Sequence, residues 1–128
     1  MTRWYWRLVG GTLIEEFPAV RRSKECAQRL IDGIIVKGGE HRIAHWRDVD
    51  LKGKDIIVVQ AKDYRLGMYL MGQTLFSAQL MERFKPRSVE SVALCSKDDA
   101  VLRPLLERYP AMKVVVCPRP DTASSTAR

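Results

Sequence analysis

Residues 55–62, DIIVVQAK, restrict the fold more than any other segment. Four β-branched residues in a row favour a strand. A run without alternation suits a strand covered on both faces, since a strand with one wet side alternates. The chain therefore needs apolar layers above and below a sheet, which is an α/β arrangement. Polar residues stand only at the ends of the run. With 128 residues, 46% of them apolar, there is room for one compact domain and one core. The expected organisation is a single domain over 1–118 and a polar, disordered tail over 119–128.

Residues 67–84, GMYLMGQTLFSAQLMERF, switch to a helical pattern. Met68, Met71, Leu75 and Ala78 fall on one stripe and Tyr69, Phe76 and Leu80 on an adjoining one. An apolar surface this broad predicts a largely buried helix, stopped by Pro86. Residues 3–9 suit one or two helical turns before Gly10-Gly11. Residues 12–20 suit an extended segment, because Pro18 limits a helix. Segments 30–37 (LIDGIIVK) and 41–46, separated by Gly38-Gly39, read as a hairpin, and 21–29 as a loop or short helix. Strands are expected at 89–95 and 112–117. Between them, Ser96 with Asp99 resembles a helix-start signature for an amphipathic helix over 100–108, kinked or delayed by Pro104. The second half thus reads as a βαβ crossover.

Twenty-two Lys and Arg against 15 Asp and Glu leave a formal charge of +7. That surplus favours an anionic partner, most commonly nucleic acid, although the charge is spread along the chain. Cys26, Cys95 and Cys117 are odd in number and form no CxxC, so neither a disulfide framework nor a zinc ribbon is indicated. A reducing cytoplasm fits, with Cys95 and Cys117 as small buried hydrophobes. No stretch approaches the roughly 20 apolar residues that span a bilayer, and no cleavage site follows the first apolar run. A soluble intracellular protein without a membrane partner is expected.

Chemistry concentrates in a polar trio at the ends of apolar strands: Asp32 in LIDGIIV, and Gln60 with Lys62 in DIIVVQAK. Side chains two apart share a face, so Gln60 and Lys62 project together while Ala61 turns away. Asp32 joins them if its strand is a neighbour. In order and context these residues resemble the PD-(D/E)XK nuclease superfamily, whose pattern is an acid at one strand, a strand ending in (D/E)-x-K, a buried helix and a further strand. Asp32 matches the first acid. Gln60-Ala61-Lys62 matches the second motif with Gln in the place of the acid, a substitution known in the superfamily. The resemblance covers roughly residues 12–95.

It implies an α/β, restriction-endonuclease-like fold, a three-layer sandwich whose central mixed sheet is flanked by helices. It also implies metal-dependent hydrolysis of phosphodiester bonds in DNA, in repair, recombination or mobile-element processing. Asp32 would be the chief ligand of Mg2+ or Mn2+ and the Gln60 carbonyl a neutral second one. Lys62 would position the attacking water and stabilise the transition state. Gln60 removes a negative charge that members of the superfamily often recover from the N-terminal segment. Glu16 is the candidate and Glu15 the fallback, since alternation lets only one of them face the site. Gln73 resembles a helix Gln that recombination-type relatives place near the site, without the Tyr that follows it there; a buried Gln bonded to backbone is the other reading.

Arg21, Arg22, Lys24, Arg29 and Arg65, with Gln73, are the expected nucleic-acid contacts, and Lys85 and Arg87 extend the same electrostatic track; a solvated loop is the alternative. Trp4, Tyr5 and Trp6 are read first as aromatics packed on the sheet or a partner subunit, and second as base-stacking groups. His41 and His45 have no visible third ligand and are read as exposed polar positions. Two rival functions stand beside the nuclease: a nucleic-acid-binding module of the same fold without catalysis, and a small α/β interaction or assembly domain. No glycine-rich phosphate loop is present. A homodimer through the aromatic N-terminus or the strand edges is predicted.

Overall fold

A computed structural model describes residues 1–118, and the tail expected over 119–128 lies outside the described residues. In chain order the elements are α1 (Thr2–Val9), β1 (Thr12–Val20), β2 (Arg29–Val36), β3 (Ile43–Ala44), β4 (Asp55–Arg65), α2 (Met68–Met81), β5 (Ser88–Lys97), α3 (Leu102–Glu107) and β6 (Met112–Val116). The strands form one mixed sheet in the order β3-β1-β2-β4-β5-β6. β2 runs antiparallel to both β1 and β4, whereas β1–β3, β4–β5 and β5–β6 are parallel.

The apolar run of β4 explains the layering. Ile56 and Val58 pack with Ile14, Phe17, Ile34 and Met81 of α2. Ile57 and Val59 point the other way, against Leu13, Ile35 and the buried Tyr5 and Trp6 of α1. A third cluster joins Leu70 of α2 and Leu106 of α3 over Ala93, Cys95 and Val114. One face of the sheet thus carries α1 and the other carries α2 and α3, so β4 meets apolar side chains on both sides. Among the described residues, no helix is long and apolar enough to cross a membrane.

The N-terminal aromatics take the packing role. The Trp6 indole N–H donates to the Gly11 carbonyl at 2.6 Å, and His41 stacks on the Trp6 ring at 4.3 Å. Gly11 turns the chain from α1 into β1 with a left-handed φ of 82°. A Cβ there would overlap the Val36 carbonyl oxygen, so only glycine fits. Cys95 and Cys117 are buried, and burial pushes both thiols up.

Two expectations are corrected. The hairpin between 30–37 and 41–46 does not form: β2 is already paired on both sides, and Ile43–Ala44 lies parallel to β1. The Gly38-Gly39 turn instead carries the chain across the end of β1, where the Thr12 hydroxyl donates to the Glu40 carbonyl at 2.6 Å. Ser96 does not start α3, because pairing keeps β5 extended through Lys97. Asp99 does that work, its carboxylate accepting from the Val101 and Leu102 N–H groups at 3.0 and 2.9 Å. Pro104 falls in the first turn of α3, where a missing N–H breaks no intrahelical bond.

Candidate functional site

β2 and β4 pair from Val36 opposite Ile56 to Gly33 opposite Val59, and then part. On the other side of β2, Glu15 faces Gly33 and Phe17 faces Ile31, which sets Glu16 opposite Asp32. Both strands change face at this point. Ile14 and Phe17 belong to one cluster although they are three apart, and so do Ile31 and Ile34; a period of two would separate them. Glu16 has a left-handed backbone, φ 50°, uncommon for a residue with a Cβ.

Side chains bridge the gap where the ladder stops. The Ala61 N–H donates to Asp32 Oδ2 at 2.8 Å, and the Asp32 N–H approaches Gln60 Oε1 at 3.5 Å. Gln60 is 4% exposed. Its Nε2 donates to Ser77 Oγ of α2 at 2.6 Å, so the buried amide is bonded at both ends. Lys62 is exposed, with its ammonium 5.5 Å from the centroid of the Tyr69 ring on α2.

Asp32 and Gln60 are therefore brought together, and Lys62 follows on the Gln60 side of β4. The carboxylate and the amide open onto different pockets. Asp32 lines a polar pocket of about 540 Å³ with Met1, Thr2, Glu15, Glu16 and Ala61. Gln60 forms part of a groove of about 460 Å³ beside α2 that also includes Arg29, Tyr69, Gln73 and Phe76. Glu15 and Glu16 both line the polar pocket, where the alternation of β1 breaks at Glu16. Arg3 holds Glu15 through its Nε and Nη2, both at 2.9 Å, and keeps that carboxyl below its ordinary range. Among the described residues, no group of three or more His, Cys, Asp or Glu side chains is disposed to hold a metal ion.

The basic residues divide. Arg29 lines the groove, Arg21 sits over the Trp46 ring at 5.1 Å, and Arg22 and Lys24 are exposed between β1 and β2. Arg65 closes β4 in register with Lys97. Arg87 lies at the Asp55 end of β4, away from Arg65, and Lys85 follows Phe84, which shares a pocket with Arg21. Arg87 is committed to Asp55, its Nε donating to Oδ1 at 2.9 Å and its Nη2 to Oδ2, and Ser88 adds a third donor at 2.7 Å. With these partners Asp55 is held far below the usual carboxylate range. The histidines serve separate neighbours: His41 stacks on Trp6, and His45 Nδ1 accepts the Arg47 N–H at 3.1 Å.

Ser77, the partner of Gln60, escapes a reading of the sequence. Its only signal is its place on the stripe of Leu70, Thr74 and Met81 that α2 buries. No known protein family, curated protein or solved structure matches this chain.

Proposed function

We propose that this chain is a metal-dependent nuclease of restriction-endonuclease-like fold acting on DNA, with its site where β2 and β4 part. The observation that carries the reading is the coupling of Asp32 to the Gln60-Ala61-Lys62 segment across that gap. The element order supports it: β2 holds the first acid, β4 the second motif, α2 the following helix and β5 the further strand.

The donor chemistry fits magnesium, which binds through one or two carboxylates, keeps several waters and takes phosphate oxygens for the rest. Asp32 and Glu16, which line one pocket, would hold it; the Gln60 carbonyl, which opens on the other pocket, would join only by giving up the Asp32 N–H and turning toward them. Bound there, the ion would supply charge stabilisation at the phosphoryl group and a more acidic water. The chain's own part is positioning. Lys62, steadied by Tyr69, would orient the water and offset charge in the transition state. Arg29, Arg21, Arg22, Lys24 and Arg65 would meet backbone phosphates, which position the duplex without reading its sequence.

Incubation with supercoiled, linear and branched DNA plus magnesium or manganese tests this reading. Asp32→Asn is the informative variant, because its amide carbonyl still accepts the Ala61 N–H while the charge is lost. It and Lys62→Ala are each expected to lower cleavage by about 10²–10³-fold. Absence of cleavage by the wild type, or undiminished cleavage by both variants, overturns the proposal.

One observation favours a second reading, a nucleic-acid-binding module without catalysis: the Gln60 amide and Asp32 Oδ2 are spent on internal hydrogen bonds. That module would bind DNA equally well in a chelator and after Asp32→Asn. Loss of affinity with salt is common to both readings and does not separate them.

A further inference from the structure

We propose that the outer face of α2 docks a second copy of this chain across a two-fold axis. The helix MYLMGQTLFSAQLM contains no Asp, Glu, Lys or Arg. It buries Leu70, Thr74, Ser77, Ala78 and Met81 against the sheet, which accounts for one stripe. The opposite stripe is mostly apolar and it is bare: Met68 is 76%, Tyr69 72% and Phe76 60% exposed, with the exposed Gln79 as the polar residue among them. A helix that is apolar all round is normally covered on all sides.

Gly72 lies in the middle of this face. A glycine within a helix costs about 1 kcal/mol relative to alanine, and nothing inside the molecule requires it, since a Cβ there would meet no atom within 4 Å. A close approach by another backbone is the remaining use for the missing side chain. Two α2 helices crossing at Gly72 make that approach, with the apolar groove beside Phe76 and Leu30 taking the flanking side chains of the partner.

Charge selects the occupant. At +7 two copies repel, and they meet at least cost through the uncharged helix, with Arg29 of the groove and Lys62 against Tyr69 kept to its border. A nucleic acid needs a row of cations facing its phosphates; the fourteen residues of α2 carry none, and Arg29 and Lys62 stand only at its border. The area suffices for a reversible contact. Met68, Tyr69, Phe76 and the half-exposed Leu30 would bury roughly 500 Å² per copy, about 1,000 Å² in all, at the lower edge of specific interfaces.

Sedimentation velocity on the full chain, without metal or nucleic acid, tests this apart from any nuclease activity. A concentration-dependent species of twice 14.7 kDa with micromolar affinity is expected. Phe76→Lys should weaken it at least about tenfold. Gly72→Leu, whose side chain finds open space in a single copy, should keep the circular dichroism spectrum and also weaken the dimer about tenfold or more. Val101→Lys, at an exposed position away from α2, should leave the dimer intact. A wild type that stays monomeric into the high micromolar range overturns the proposal, as does a dimer indifferent to Phe76→Lys and Gly72→Leu. A monomer whose affinity for labelled DNA is lost on Phe76→Lys also overturns it, in favour of nucleic acid on this face.

Discussion

Asp32 and Gln60 replace two rungs of a β-ladder with side chains, and their chemistry follows from how deeply each is set. Gln60 is buried and bonded to Ser77 and to the Asp32 N–H, whereas Asp32 keeps a face toward water. Gln60→Leu preserves volume but strands the Ser77 hydroxyl and a backbone N–H; urea unfolding should show a loss of about 1–3 kcal/mol. Gln60→Glu restores the carboxylate whose absence lowers the negative charge of the proposed site. If Gln60 is a metal ligand, the magnesium midpoint of DNA cleavage moves to lower concentration in this variant, and an unchanged midpoint removes Gln60 from the ligand set. The meeting of Asp32 with Gln60 has a signal in the sequence, since polar residues at the ends of apolar strands run against burial, whereas Lys62 keeps to the α2 side beside Tyr69. Ser77 was not legible there, because its place on the helix stripe does not name its partner until the strand beneath it is known.

At the scale of elements, two glycines have opposite reasons. Gly11 is held by its positive φ and by the Val36 carbonyl packed against its Cα. Gly11→Ala should cost about 2 kcal/mol or more, read as a lowered urea midpoint. Gly72 has open space around it. Gly72→Ala should raise the stability of the single copy by about 0.5–1 kcal/mol, measured at a concentration where monomer prevails. A loss there would mean that α2 itself, and not a partner, needs the glycine. The helical period of α2 marked it as buried on a wide surface. Only the sheet shows that it buries one stripe and leaves Met68, Tyr69 and Phe76 outside.

Across the whole molecule, the shifted carboxylates point one way. Asp55 is lowered chiefly by the hydrogen bond from Arg87, Glu15 by Arg3, Asp98 by Arg103, and Glu107 by the Val114 N–H. A carboxyl with a lower pKa in the folded state adds stability above its unfolded value, and loses it as pH falls through the folded one. The ordinary values are 3.8 for Asp and 4.5 for Glu. The melting temperature should therefore be flat from neutrality to about pH 5 and fall below about pH 4. Calorimetry across that range checks it, and a melting temperature that rises on acidification would contradict the pairings. Arg87→Met should lower the melting temperature at neutral pH and by less in acid, where Asp55 is losing its charge. These pairs are exposed and each contributes modestly.

By itself the sequence determined the layers: a central strand with apolar neighbours on both sides, helices packed on a sheet, the N-terminal aromatics and two cysteines inward. Periodicity and burial preference are properties of short segments, and they survive whatever the remainder of the chain does. The tertiary structure alone decided which strand β3 joins, that Glu15 and Glu16 share a pocket with Asp32, and that Arg87 answers to Asp55 at the far end of β4. Each of these depends on where a ladder between distant segments begins and stops, and that is set by packing between residues tens of positions apart, which no local pattern encodes.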